Sequence, residues 1–276
     1  MTSDSYLMAF SVENPVLLAE TPRAYLWRVE NQHGPAVLKV LTDRGVKVSD
    51  MIGTKFLELC KGVGSVGLLA QCDSAFLMEW LPGQALKDKV PTGQDEEAAQ
   101  IIAETSMKLR RPAEDGFIEL ENHFGGALPS AEIDELPALH RAAFARARAM
   151  WHALLLTTEE KYLMHGDLNY DNIMWSDRGW VAIDPKGIVA DPCYEFGVVF
   201  RNPIGEEARA AKSDRILNLA SLLASHTGLD TTRILQFGFV HVAMSLAYHF
   251  RRSGTFSNTD LAIFQGFDSL RLQLPN

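Results

Sequence analysis

The chain has 276 residues, 47% apolar and 22% charged, which is enough apolar surface to bury a full core and too much for a disordered segment. A formal net charge of −9, with basic pairs only at Arg110-Arg111 and Arg251-Arg252, excludes the clustered cations that neutralise a nucleic-acid backbone. Three cysteines without metal-ligand spacing, no N-terminal signal pattern and no apolar run long enough to span a bilayer point to the cytoplasm, with neither a membrane nor a nucleic acid as partner.

In chain order, the apolar runs Tyr25–Val29 and Ala36–Leu41 flank Asn31-Gln32-His33-Gly34 and predict a β-hairpin. Met51, Ile52, Phe56, Leu57 and Leu59 recur at helical spacing and predict a short helix over 50–61. Two more strands follow, Leu68–Ala70 and Ala75–Trp80, and Leu81-Pro82-Gly83 stops the second. Beyond Gly83 the pattern becomes helical. Thr92 and Asp95 read as a capping box ahead of an Ile101, Ile102, Thr105, Leu109 stripe. A long helix carries Leu139, Ala143, Arg146, Met150 and Leu154, and Ser213 and Asp230 read as N-caps of helices ending near His226 and Arg252. Glu119 to Pro137 is the expected irregular insertion. The fold class is α+β, with a sheet-rich lobe over 1–81 and a helical lobe over 82–276.

Chemistry concentrates in His165-Gly166-Asp167-Leu168-Asn169-Tyr170-Asp171-Asn172, followed by apolar runs 173–175 and 180–183 around the turn Ser176-Asp177-Arg178-Gly179. Pairing Trp175 with Trp180 sets Asn172 opposite position 183, one residue before Asp184. Strands about 4.8 Å apart would then let Asn172 and Asp184 converge on one cation. Magnesium prefers oxygen ligands and needs few from protein, so one carboxylate and one amide oxygen suffice. Asp167, five residues before Asn172, has the spacing of a catalytic-loop base that accepts a hydroxyl proton. Lys39, a charge inside the apolar run Ala36–Leu41, fits a lysine that grips nucleotide phosphates, although alone it would read as an edge-strand lysine. His165 reads as a brace for the loop.

These residues resemble the aminoglycoside phosphotransferase branch of the protein-kinase-like fold, and most closely its streptomycin 6-kinase or hydroxyurea phosphotransferase group. Pro35–Val40, Leu77–Gly83, the His165–Asn172 loop, Ile183-Asp184-Pro185-Lys186-Gly187, Asp191–Glu195 and Arg201-Asn202-Pro203 carry the likeness. The resemblance implies a bilobal protein-kinase-like fold that binds ATP between its lobes, with adenine on the backbone of Glu79 to Leu81 and Lys39 on the α- and β-phosphates. It implies Asp167 as base, Asn172 and Asp184 as Mg²⁺ ligands, and Lys186 as a further phosphate contact. The loop lacks the arginine with which protein kinases sense phosphorylation, so activity independent of phosphorylation is expected.

Two positions depart from that pattern. Gly53 stands where a helix glutamate would pair with Lys39, leaving Asp50 or a shifted register to supply the partner, and Glu195 stands where relatives carry Asp to brace the loop. Gly62-Val63-Gly64-Ser65-Val66-Gly67 matches G-x-G-x-x-G but lies after a helix and before a strand, the wrong order for a dinucleotide fingerprint. The nucleotide-covering loop falls near Thr21–Trp27, without glycine. The expected reaction is transfer of the ATP γ-phosphate to a small-molecule hydroxyl. Streptomycin-like aminocyclitols lead the acceptors by resemblance, with choline, sugars and other metabolites as alternatives. Acidity would also attract a cationic acceptor, though it is common in soluble enzymes. A nucleotide-binding pseudokinase and a metal-dependent hydrolase are the rivals.

Overall fold

Alternation along 24–41 becomes two paired strands in the computed structural model, which describes residues 3–47, 50–89, 94–126, 128, 136–202 and 205–275. The first elements are α1 (Ser3–Phe10), β1 (Glu13–Glu20), β2 (Ala24–Asn31), β3 (Gly34–Leu41), α2 (Asp43–Lys47), α3 (Asp50–Cys60), β4 (Leu68–Cys72) and β5 (Ala75–Glu79). The strands form one antiparallel sheet in the order β1-β2-β3-β5-β4. Tyr25 faces Val40 across the predicted hairpin. Because side chains alternate along a strand, Ala36, Leu38 and Val40 point to one face and pack with Val29, Ala75 and Leu77. Tyr6 and Val12 close that face from the N-terminal segment. The opposite parity places Val37 and Lys39 on the other face, where Lys39 lies between Leu26 of β2 and Phe76 of β5.

The sequence reading missed α1, α2 and β1. All eight residues of β1 are exposed, so it has no apolar alternation to betray it. Pro15 and a left-handed Asn14, at φ +54°, fit an edge strand whose register with β2 is broken by irregularities. Gly62–Gly67 forms the expected connection between α3 and β4, and within it Val66 N–H donates to Ala182 O at 2.8 Å.

The remaining chain runs through α4 (Leu86–Lys89), α5 (Asp95–Leu109), β6 (Arg111–Pro112), β7 (Ile118–Glu119), α6 (Ala138–Leu156) and β8 (Tyr162–Met164). It continues with β9 (Ile173–Ser176), β10 (Gly179–Ala182), β11 (Ile188–Ala190), α7 (Glu207–Ala210), α8 (Ser213–Thr227), α9 (Thr231–Ser253) and α10 (Asn258–Ser269). Short 3-10 helices span Leu120–Gly126, Tyr170–Asn172 and Pro192–Arg201. The central helix α9 is buried continuously from Ile234 to Ala247, which explains its apolar residues all round. Gly238 permits that approach, since a Cβ there would stand 2.7 Å from Phe267 and 2.8 Å from Phe200.

Asp230 caps α9 as predicted, accepting from Arg233 N–H at 2.7 Å, and left-handed glycines 228 and 254 end α8 and α9. Other predicted boundaries move. Ser213 is the first residue of α8, after an N-cap at Lys212. Asp95 likewise opens α5 instead of closing a capping box, and its carboxylate binds Arg209 at 2.6 Å and Arg215 at 2.9 Å. Thr92, part of the insertion and Pro203 lie outside the described residues, as does the side chain of Asp50. Leu139, predicted to pack, is exposed, whereas Ala143, Met150 and Leu154 are buried. Among the described residues no helix is long and apolar enough to cross a membrane.

Candidate active site

The loop that carries Asp167 is fixed at both ends by an antiparallel pair in which Met164 of β8 faces Ile188 of β11. His165 O receives the N–H groups of Lys186 and Gly187 at 2.7 and 3.2 Å, drawing residues 165 and 186 together. Gly166 takes φ +80°, and a Cβ there would meet Ile188 at 2.1 Å, so this position has room only for glycine. Trp175 pairs with Trp180, and Ile183 N–H donates to Asn172 O at 2.8 Å, which sets Asn172 beside the start of the Asp184 loop.

His165 and Glu195 stabilise this loop from beneath. The His165 ring accepts the Asp167 N–H on Nδ1 at 3.2 Å, which leaves the proton on Nε2 to be donated to Ile183 O at 2.8 Å. Burial holds its pKa down at about 4, so the ring is a neutral brace, as expected. Glu195 accepts the N–H groups of His165 and Gly166 at 3.0 and 2.9 Å, one on each carboxylate oxygen. Burial pushes its pKa up to about 7 despite those donors. The 3-10 segment that presents Glu195 is anchored at both ends: Asp191 pairs with Arg233 at 2.6 Å, and Arg201 pairs with Asp260 at 2.8 Å. The longer side chain at 195 therefore reaches the loop backbone directly.

Above this platform, Asn169 caps the turn 170–172 by accepting from Asp171 and Asn172 N–H groups, and its amide donates to Asp167 Oδ1 at 3.1 Å. Asn172 Nδ2 donates to Asp167 O at 2.8 Å, so Oδ1 is the end of that amide available to a cation. Asn169 was not singled out from sequence; its place two residues after Asp167, where Asn commonly caps a turn, was the signal that could have found it.

Asp184 stands across from these groups with φ +54°, a left-handed backbone that costs an L-residue roughly 1–2 kcal/mol. Its Oδ1 lies 2.5 Å from Lys39 Nζ and its Oδ2 lies 2.7 Å from Lys186 Nζ. Burial opposes ionisation of Asp184, but the Lys186 and Lys39 ammonium groups hold its carboxyl well below the usual range. Asp167 is the opposite case. Its enclosed position raises its pKa, with the Lys186 charge opposing. Lys186 Nζ lies 3.9 Å from Asp167 Oδ2, so Lys39, Asp184, Lys186 and Asp167 form one chain of alternating charge.

Among the described side chains, the partner of Lys39 left open by the sequence is Asp184. No glutamate could replace Gly53 in this packing, because a Cβ there would stand 2.1 Å from Pro185 O. Helix α3 instead rests directly on the Asp184-Pro185 backbone.

The cleft between sheet and helices has a volume of about 910 Å³. Leu26, Val37 and Met78 line its upper wall, Met174 and Ile183 its floor, and Lys39, Asn172 and Asp184 its polar end. Leu18 and Ala19 of β1 and the turn residues Thr21 and Arg23 overhang the mouth, in the region expected for the nucleotide-covering loop. Glu79, Trp80 and Leu81 line the rear. The Glu79 side chain is held by Arg178 at 2.5 Å and by Gly67 N–H at 2.7 Å, so it steadies this strip by its side chain. An apolar slot that ends in fixed charges suits a flat ring joined to an anion, and Asp184 with Asn172 supplies the hard oxygen donors magnesium takes.

Residues 10–254 match the family described as aminoglycoside/hydroxyurea antibiotic resistance kinase. The chain is 28% identical to the streptomycin 3''-kinase of Klebsiella pneumoniae over 237 residues, 84% of this chain and 86% of that protein. Among solved structures it resembles a thermostable mutant of aminoglycoside phosphotransferase APH(4)-Ia in ternary complex with ADP and hygromycin B, at TM-score 0.68, 14% identity and 99% coverage of both chains. It also resembles choline kinase LicA from Streptococcus pneumoniae, at TM-score 0.64 and 14% identity, over 96% of this chain and 97% of that one. At these identities the structural matches establish the fold, which is α+β and protein-kinase-like.

Proposed function

Because the chain belongs to the aminoglycoside/hydroxyurea antibiotic resistance kinase family, and is thereby a small-molecule phosphotransferase acting on hydroxyl groups, we propose that it uses ATP and Mg²⁺ to phosphorylate an aminoglycoside or aminocyclitol of the streptomycin type. The observation that supports this most is the convergence of Lys39, Asn172 and Asp184 on the polar end of one apolar cleft, with Asp167 joined to them through Lys186 at 3.9 Å and through the Asn172 amide at 2.8 Å.

In this reading the adenine lies in the slot against the backbone of Glu79 to Leu81, and Lys39 leaves Asp184 for the α- and β-phosphates. Asn172 and Asp184 would hold magnesium, which when bound neutralises charge on the β- and γ-phosphate oxygens. Asp167 receives the acceptor O–H as a hydrogen bond. As the acceptor oxygen bonds to the γ-phosphorus, the bond from that phosphorus to the β–γ bridging oxygen breaks, ADP leaves and Asp167 takes the proton. Its raised pKa makes it a stronger proton acceptor than an ordinary aspartate. A net charge of −9 favours approach of a polycationic acceptor.

ADP release should be followed with Mg²⁺ and ATP over a panel of streptomycin, other aminoglycosides, choline, neutral sugars and hydroxyurea. Release stimulated by streptomycin-type acceptors, with phosphorylated product found by mass spectrometry, supports the proposal. Stimulation by choline or sugars alone would assign a metabolite kinase. ATP binding without stimulation by any of them would leave the pseudokinase.

A further inference from the structure

The two lysines on Asp184 differ in how they are tethered. Lys39 reaches from β3 across the cleft, whereas Lys186 lies two residues along the same loop. The Lys186 N–H is fixed on His165 O at 2.7 Å, and its Nζ folds back to within 3.3 Å of Asp184 O. The backbone beyond it is also confined. Gly187 takes φ +66°, and a Cβ there would meet Phe117 at 2.8 Å and Ile52 at 3.1 Å. The Lys186 ammonium is therefore held 2.7 Å from Asp184 Oδ2 and 3.9 Å from Asp167 Oδ2, between the proposed metal ligand and the proposed base.

We infer that Lys186 takes the place of a second divalent cation: the chain holds one metal ion, through Asn172 and Asp184 Oδ1, and the Lys186 ammonium on Oδ2 supplies the second positive charge beside the transferring phosphoryl group. This rests on the phosphotransfer reading of the cleft. Protein kinases use two magnesium ions around the equivalent aspartate. Magnesium bonds oxygen at about 2.0–2.1 Å, so a second ion on Oδ2 would stand no further than about 5 Å from an ammonium already on that atom. Both cations would then press on one carboxylate oxygen, whose shared charge offsets only part of their repulsion. Nucleotide phosphates can draw Lys39 off Oδ1, because its strand faces the phosphate end of the slot, but Lys186 is bound to its carboxylate by its own short loop.

The full chain should be titrated with Mn²⁺ in the presence of saturating AMP-PNP, counting bound ions from the loss of the free Mn²⁺ EPR signal. One ion per chain is expected for the wild type and for Lys186→Arg, and two for Lys186→Met. Turnover of Lys186→Met with Mg²⁺ and ATP should fall roughly 10²–10³-fold, the scale for losing one fixed transition-state charge. Two ions on the wild type would overturn the inference, as would a Lys186→Met variant of unchanged melting temperature that still binds one. Wild-type protein that binds no Mn²⁺ in an AMP-PNP-dependent way would instead overturn the phosphotransfer reading, and this inference with it.

Discussion

The catalytic loop and the β1–β2 edge face the same cleft and are built in opposite ways. Residues 165–172 are tied by hydrogen bonds between the side chains of Glu195, His165, Asn169 and Asn172 and backbone groups. Strand β1 is exposed along its whole length, and its Leu18 and Ala19 overhang an apolar slot. The catalytic loop is preorganised, as a site that works by positioning needs, while the roof would gain burial from the nucleotide ring proposed to fill the slot. Substitutions at Asp167 and at the braces His165 and Glu195 should damage turnover or stability with little change in nucleotide affinity, and substitutions in the roof should do the reverse.

The largest expected effect is at Asp167. Asp167→Asn should lower kcat by roughly 10²–10⁴-fold while the thermal shift given by Mg²⁺ and AMP-PNP stays within error of wild type. Near-normal turnover would remove Asp167 from the chemistry. Next is Glu195→Ala, which strands two buried N–H groups and should cost roughly 1–3 kcal/mol for each, seen as a fall in urea midpoint. An unchanged midpoint would show that the loop does not depend on this brace.

Glu195 also gives a test by pH. Its folded pKa of about 7 lies above the ordinary 4.5, so the folded state keeps a proton that the unfolded state loses. The stabilisation is full below pH 4.5 and is lost as pH rises through 7. His165 runs the other way: with a folded pKa of about 4 against 6.5, its contribution is full above pH 6.5 and is lost as pH falls through 4. The two offset each other in the wild type. Glu195→Gln removes one side, so the stability gap between wild type and variant should widen by about 3 kcal/mol from pH 8 to pH 4.5. If the gap narrows on acidification, the two backbone donors outweigh burial and Glu195 ionises well below 7.

The smallest effect belongs to the roof. Leu18→Ser should change stability by less than about 0.5 kcal/mol, since the residue is exposed, yet raise KM for ATP several-fold. Equal losses in stability and affinity would mean that β1 is part of the resting core.

The same contrast decides what could be read in advance. Strands β2, β3 and β5 have one face in a core, so their alternation is visible, and Trp175–Trp180 follows from turn chemistry alone. The spacing of Asp167 and Asn172 was legible because both sit on one short loop, closed by the Asn172 side-chain amide donating to Asp167 O. Strand β1 buries nothing and left no pattern. Asp95 looked like a helix cap because its partners, Arg209 and Arg215, lie more than a hundred residues away. The Lys39–Asp184 pair spans 145 residues, and the tight contact of Gly53 with Pro185 that makes room for it has no trace in local sequence.

The central claim is that Asn172 and Asp184 face one ion at the end of the nucleotide slot. Anomalous diffraction from a crystal grown with Mn²⁺ and AMP-PNP tests it most directly. A peak within bonding distance of Asn172 Oδ1 and Asp184 Oδ1, with Lys39 moved onto phosphate, is the predicted result. Bound AMP-PNP with Lys39 still on Asp184 and no peak beside Asn172 would contradict it.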